Sequence, residues 1–260
     1  MTSPMKKRWL VLAGVLALLA GTLLLAPAEW LAAKAVPDNA PIKLLGVSGE
    51  LRRGRIQQIE LSQLRPPKQL GPARWQLNPF SLLWLHPSLS LELDAPLLAR
   101  GKLHLSPLGS AHFHDWRATG EVADLVALAG YSFLPVSGKL GLNIEQLDIS
   151  GPLPDSVAGT AQLLNLQWKL GRQELDLGDV QADLATVDGE HIATLSAPRG
   201  PLDLEGTARI DAEARYDVNI RIKPKADAPQ PLVNLLRGLG RPDSQAWYTL
   251  RYRGQLPVAQ

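Results

Sequence analysis

The sequence has no cysteine, which excludes disulfides, thiolate metal sites and cysteine nucleophiles. It also lacks a large excess of either charge, because 27 Lys and Arg stand against 25 Asp and Glu. With 45% apolar residues, that balance excludes an intrinsically disordered chain. The 22 Gly and 21 Pro follow no three-residue period, which excludes a collagen-like chain. The 260 residues are therefore enough for one or two folded domains.

One apolar run, residues 9–26, is long enough to cross a membrane. It carries no charge, and as a helix it would span about 27 Å, close to the ~30 Å hydrocarbon core of a bilayer. Three cations precede the run, and a tryptophan stands at each end, as interfacial anchors do. The residues predicted to set topology and anchoring are Lys6, Lys7, Arg8, Trp9 and Trp30. Removing the three cations from the 27 leaves 24 against 25 acidic residues, so nothing later in the chain indicates nucleic-acid binding.

The positive-inside rule places the short N-terminus in the cytoplasm and the rest of the chain across the membrane. We expect residues 1–8 to be cytoplasmic and residues 9–26 to form a transmembrane signal-anchor. Residues 27–46 are expected to be a juxtamembrane linker, and residues 47–256 a mainly β domain. The alternative is a cleaved signal peptide, for which Ala26-Pro27-Ala28 is a loose cleavage site. The length of the run and its flanking tryptophans favour the uncleaved anchor and a single-pass protein.

Beyond the linker, the dominant apolar period is two, which is typical of strands with one buried face. The clearest stretch is residues 208–223, where apolar and polar side chains alternate throughout. It is either one long curved strand or two strands joined by a hairpin. The apolar face is expected to form core, with Ile210, Val218 and Ile220 buried. The opposite face, with Arg209, Arg215 and Arg221, is predicted to be an interaction face.

The connections between strands are short and rich in Gly and Pro, so the sheet is expected to be antiparallel. Helical spacing occurs near 123–131 and 231–240. The predicted fold class is mainly β: an N-terminal transmembrane helix followed by a curved antiparallel β-sheet domain with one or two short helices. The sheet is expected to be a meander, an open trough or a sandwich, and a division near Gly151-Pro152 is an alternative.

No catalytic, cofactor or metal site is predicted. The segment nearest to a nucleophile elbow runs from Gly46 to Glu50, and Glu50 stands where that turn needs glycine. Three histidines, His104, His112 and His114, would share a strand face in one register of their hairpin and separate in the other. Solvated or hydrogen-bonded histidines are the preferred interpretation, and the chain is predicted not to be an enzyme.

Four stretches in order resemble one known family. They are VSGELRRGRIQQIEL at 47–61, ARWQLNPFSLLWLHPSLSLEL at 73–93, SGKLGLNIEQLDISGPLPDSVAGTAQLLNLQWKL at 137–170, and a closing stretch made of RGPLDLEGTARIDAEARYDVNIRIKP at 199–224 and PLVNLLRGLGRPDSQAWYTLRYRGQL at 231–256. Together with the cationic start and the signal-anchor, they resemble the type II secretion system protein N family of Gram-negative bacteria. The resemblance implies a single-pass inner-membrane protein whose C-terminal domain lies in the periplasm. It implies a non-enzymatic role in moving folded exoproteins across the outer membrane, with other secretion subunits as partners.

Two classes of function compete with that role. A tethered β groove with an apolar inner face could handle lipids in the envelope, because an apolar face can bury core, partner or lipid alike. An envelope hydrolase is the less favoured class, since no nucleophile motif was found. The secretion subunit is the preferred prediction, and lipid handling is its alternative.

Overall fold

The computed structural model describes most of the chain beyond the N-terminal segment. The described residues are 26–29, 42–61, 68–84, 86–106, 109–128, 130–131, 133–171 and 173–256. The chain divides into two compact units, residues 1–93 and 94–260. Within the described residues there are fourteen strands and two short α-helices, so the mainly β, antiparallel fold class is confirmed.

Unit 1 is a small antiparallel sheet in which β2 lies between β1 and β4, and β4 pairs with β5. The short β3 also pairs with β2. Its elements are β1 (Ile42–Gly49), β2 (Arg53–Leu61), β3 (Lys68–Leu70), β4 (Ala73–Leu77), a 3₁₀ helix (Pro79–Trp84) and β5 (Ser88–Leu93). β1 begins inside the segment that the sequence assigned to the linker. The predicted domain limits otherwise stay a prediction.

Unit 2 is an antiparallel meander in which strands that follow one another in sequence pair with each other. Its strands are β6 (Leu97–Leu105), β7 (Ala111–Glu121), β8 (Val136–Ile149), β9 (Pro154–Leu170), β10 (Gln173–Val187), β11 (Glu190–Arg199), β12 (Leu202–Ile210), β13 (Arg215–Pro224) and β14 (Tyr248–Gln255). The helices α1 (Val122–Leu128) and α2 (Gln230–Arg237) lie at the two predicted helical stretches. Gly151-Pro152 forms the turn between β8 and β9, inside this unit.

The register of unit 2 separates apolar from polar residues over its whole width. One row of cross-strand neighbours comprises Ala99, Ala118, Leu142, Ala161, Ala182, Leu195, Gly206, Ile220 and Leu250. The adjacent row on the other face comprises Arg100, Arg117, Asn143, Thr160, Asp183, Thr194, Thr207, Asn219 and Arg251. Because side chains alternate along every strand, unit 2 has one apolar and one polar face.

The stretch 208–223 is a hairpin of β12 and β13, so the second of the two predicted arrangements is correct. Neither Gly nor Pro marks its turn. Ala214 instead adopts a positive φ of 61°, and its N–H donates to the backbone oxygen of Asp211. Asp211 also accepts the backbone N–H of Arg215 at 2.9 Å. A side-chain oxygen therefore fixes a turn that local sequence punctuation does not indicate.

The helix α2 supplies the main buried cluster of unit 2. Leu232 and Leu236 of the helix, 1% and 4% exposed, pack against Leu202 and Tyr248 of the sheet. Leu177 and Ile222 pack at the margin of this cluster. Away from it, Ile210, Val218 and Ile220, which were predicted to be buried, are only half-buried, so the expected core on this stretch of the face is not closed. The helix α2 forms a second layer over this part of the apolar face, and the helix α1 contacts β7 and β8.

No helix among the described residues is long and apolar enough to cross a membrane. The predicted transmembrane helix at 9–26, with Lys6, Lys7, Arg8, Trp9 and Trp30, lies outside those residues, apart from Ala26 at its end. The anchor stays a prediction.

Candidate interaction surfaces

The three arginines predicted as an interaction face do lie on the polar face of the β12–β13 hairpin, but their surroundings differ. Arg221 is the most restrained. Its guanidinium donates to Glu205 at 2.7 Å, lies 3.6 Å from Asp243 and stacks 4.7 Å from the centre of the Trp247 ring. The backbone N–H of Trp247 donates a hydrogen bond to the Asp243 carboxylate. This hydrogen bond, together with the charge of Arg221, holds the pKa of Asp243 below its usual range. Arg221 therefore has a structural role of its own.

Arg215 is also neutralised within the hairpin. Its Nε donates to Asp211 at 2.7 Å, and its Nη2 donates to Glu213 at 3.0 Å. The hydrogen bond to Asp211 raises the pKa of Arg215, with the charges of both carboxylates acting in the same direction. Because Asp211 also accepts backbone N–H groups of the turn, this cluster stabilises the hairpin connection.

Arg209 has a different environment, and it lies beside two arginines that sequence reasoning missed. It faces Asp217 across β12 and β13, and Asp217 accepts a hydrogen bond from Arg253 of β14 at 2.8 Å. Arg251, the neighbour of Asn219, is exposed. Neither Arg209 nor Arg251 makes an ion pair with any residue that the structure describes. The sequence does contain a pattern that could have indicated this strand, because Tyr, Leu and Tyr alternate with Thr, Arg and Arg at 248–253.

A cleft of ≈ 320 Å³ lies over these side chains on the polar face. It is lined by Thr207, Arg209, Asp217, Asn219, Arg251 and Arg253. Three guanidinium groups thus surround one carboxylate. A second cleft of ≈ 680 Å³ includes Arg209 and Arg253 but balances its arginines with Glu190, Asp211 and Asp217. Only the smaller of these two clefts combines hydrogen-bond donors with an uncompensated positive charge, which favours an anionic group.

The histidines align in the register that brings them to one face. His104 lies opposite His112, and His104 packs edge-on to His114 with ring centres 5.5 Å apart. His112 Nδ1 lies 2.8 Å from Asp148, which can only accept, so Nδ1 carries a proton. Burial lowers the pKa of His104, and the neighbouring His114 charge acts in the same direction. The described part of the chain holds no group of three or more His, Cys, Asp or Glu side chains placed to bind a metal ion.

Ser110, His112 and Asp148 lie in the order of a hydrolase triad, yet the contacts indicate a link between strands. The Ser110 Oγ is 3.3 Å from His112 Nε2, a long separation for a nucleophile and its base. Asp148 also accepts hydrogen bonds from Ser156 and Gln146. Burial alone would raise the pKa of Asp148, but these donors and His112 lower it to about 2. The carboxylate therefore joins β7, β8 and β9.

Unit 1 has its own basic cleft of ≈ 460 Å³, lined by Arg53, Arg55 and Arg74 among others. Arg55 and Arg74 lie directly opposite each other on neighbouring strands. The ring of Trp75 covers Gly54, where any side chain would collide with it, and its Nε1 donates to the backbone oxygen of Leu51 at 3.0 Å. The tryptophan is therefore a packing anchor for this sheet.

Taken together, these features define a mainly β protein whose meander presents a charged face, a partly open apolar face and a charged edge. The comparisons with known proteins agree with this class. The chain belongs to the type II secretion system protein N family, whose model matches residues 40–251. The family predicted from the sequence is thereby confirmed.

Three relatives carry the name type II secretion system protein N. The relative from Aeromonas hydrophila is 26% identical over 224 residues, covering 85% of this chain and 87% of the relative. The relative from Vibrio cholerae is 23% identical, covering 85% and 88%. The relative from Pectobacterium carotovorum is 24% identical, covering 97% and 100%. No solved structure matches the chain. These comparisons do not favour the lipid-handling alternative.

Proposed function

We propose that this chain is a non-enzymatic subunit of the type II secretion machinery, anchored in the inner membrane with its β region in the periplasm. The family match over 40–251 is the observation that carries the proposal. The cation–apolar–tryptophan arrangement of residues 6–30 supports the anchor and its orientation. The subunit supports export of folded exoproteins across the outer membrane through contacts with other secretion subunits. It needs no cofactor for this role.

Deletion of the gene in a Gram-negative host tests the role in export. Exoproteins should then accumulate in the periplasm, and a plasmid copy of the full chain should restore their release. Unchanged secretion in the deletion strain would contradict the proposal.

Ser110→Ala separates a structural from an enzymatic role, because it removes the hydroxyl nearest to His112 at small cost to packing. Full complementation by this variant is expected.

The topology has its own test. Alkaline phosphatase fused after Gln260 should be active, because that enzyme folds only outside the cytoplasm. The mature protein should retain its N-terminus. A mature protein that begins at Glu29 would refute the uncleaved anchor and leave the periplasmic location intact.

A further inference from the structure

The strand β14 is the last strand of the meander and has one open edge. It pairs with β13 on one side, and no described strand lies on the other. Leu256 donates its N–H to the backbone oxygen of Ala214 at 2.9 Å, in register with the pairs before it. Because paired and outward residues alternate in an antiparallel ladder, the outward N–H and C=O groups belong to Thr249, Arg251, Arg253 and Gln255. These are also the residues whose side chains lie on the polar face.

The open edge lacks most of the features that protect edge strands. β14 has eight residues and no proline, and its register with β13 shows no shift from one end to the other. On the apolar face, Tyr252 is 59% exposed. Charged side chains on an edge ordinarily hinder pairing with other chains. Here they are of one sign, so they repel a second basic strand while attracting an acidic one.

The cleft of ≈ 320 Å³ adjoins the same residues. Arg251 and Arg253 project from the edge strand, and Arg209 lies two strands further in. Against these three guanidinium groups the cleft offers only the carboxylate of Asp217. The Oδ1 of Asn219, on the cleft wall, is buried and accepts no hydrogen bond from the described residues. The three guanidinium groups leave the cleft with an uncompensated positive charge.

We propose that an extended acidic segment of a partner protein adds to β14 as a further strand. Its main chain pairs with the outward groups of Thr249, Arg251 and Arg253. Carboxylates at alternate positions of the segment then lie opposite Arg251 and Arg253, since directly opposed residues share a face. Main-chain pairing supplies affinity, and the arginines select for acidic side chains. The inference rests on the proposed function in one respect, that the segment belongs to another secretion subunit.

The test uses the purified full chain and a fluorescent peptide that alternates Glu with Val. Two further peptides serve as controls: one with Lys in place of Glu, and one with N-methyl groups on alternate residues, which removes the donors on one edge. The Glu–Val peptide should bind, and both controls should fail. The variant Arg251→Gln/Arg253→Gln should bind it about tenfold more weakly or worse, with an unchanged melting temperature.

The matched control removes two equally exposed arginines away from the edge, as Arg237→Gln/Arg241→Gln. It should bind the Glu–Val peptide within about twofold of the native chain. Equal binding of the N-methylated peptide would overturn the proposal, because simple charge attraction would then explain the result. Equal loss in both double variants would overturn it too. So would self-association of the chain that the peptide competes with, since the occupant would then be a second copy.

The in vivo readout keeps the two proposals apart. If the gene deletion does not affect secretion, the proposed function fails, while the peptide measurements still decide the edge. In the other case, deletion of the gene blocks secretion, but the Arg251→Gln/Arg253→Gln variant restores it although this variant no longer binds the peptide. The proposed function then stands, and the edge of β14 has no role in it.

Discussion

The apolar face of unit 2 is covered at one end and open in the middle, and the two stretches differ in little else. Both consist of alternating apolar side chains on paired antiparallel strands. Under α2, Leu202 and Tyr248 are buried, whereas Leu195 and Ile220 further along the face stay half-buried. Alternation therefore determines which face is apolar. Whether that face becomes core depends on a second layer, which α2 supplies over Leu202 and Tyr248.

The largest effect is expected under the helix. Leu232→Ala should lower the free energy of unfolding by about 3 kcal/mol, because it leaves a cavity at a side chain that is 1% exposed. Leu235→Ala on the same helix is the matched control, since Leu235 is 37% exposed, and it should cost less than about 1 kcal/mol. Urea denaturation followed by circular dichroism measures both. Equal losses would show that α2 does not pack as described.

At β7, β8 and β9, away from α2, stability is expected to depend on hydrogen bonds of the polar face. Asp148 has its pKa lowered in the folded chain to about 2, so its contribution is fully present above the unfolded value near 4. The contribution is lost as the pH falls from about 4 to 2 and amounts to about 2 kcal/mol. Asp148→Asn should remove this part of the acid dependence. A melting-temperature profile identical to that of the native chain between those pH values would contradict the role of the β7–β8–β9 link.

Ile220→Asp tests the open stretch directly. The partial exposure of Ile220 reduces the expected loss from the several kcal/mol of a buried site to about 1–2 kcal/mol, because the new carboxylate can reach water. Leu232→Asp is the buried counterpart and should prevent stable folding. If the two variants are equally destabilised, another part of the protein covers the middle of the face, and the contrast between the two stretches disappears.

The smallest effects are expected among the arginines of the polar face. Arg221→Glu should cost about 1 kcal/mol, because it breaks the contact with Trp247 and places an acid beside Glu205. Arg209→Glu, at an exposed position without an ion pair among the described residues, should not lower the melting temperature measurably. Differential scanning fluorimetry of both variants checks the order. The reverse order would mean that Arg209 has a structural partner.

The sequence was sufficient to predict the strands, the helices near 123–131 and 231–240, and the two faces of the 208–223 stretch. Each depends on side-chain period, which is a local property. The turn at 211–214 was left open, because its stabilising contacts come from Asp211 and a non-glycine residue with positive φ. The half burial of Ile220 was not predictable either, since it depends on where α2 packs.

The polar side of the hairpin was predicted correctly, but the sequence could not rank its arginines. Arg215 pairs with Asp211 in the turn that precedes its strand. Arg221 lies near Asp243, in the segment between α2 and β14. Arg251 and Arg253 were missed because the register that places them beside Arg209 joins β13 to a strand beyond α2. Pairing over such a distance along the chain is not encoded in local alternation. The role of this face in binding remains a prediction.

The position of α2 has a further consequence for how the sheet opens. In a meander each strand is held by its immediate neighbours, so thermal opening spreads from a free end one strand at a time, as a zipper does. β14 is such an end, yet the cluster under α2 joins side chains from β10, β12, β13 and β14. Tyr248 must therefore leave this cluster before the edge frays, which adds a cost to opening β14. The amide hydrogens of β14 that donate to β13, those of Leu250, Tyr252 and Gly254, should therefore exchange slowly for an edge strand, whereas the outward ones of Arg251 and Arg253 should exchange fast until a partner strand pairs with them.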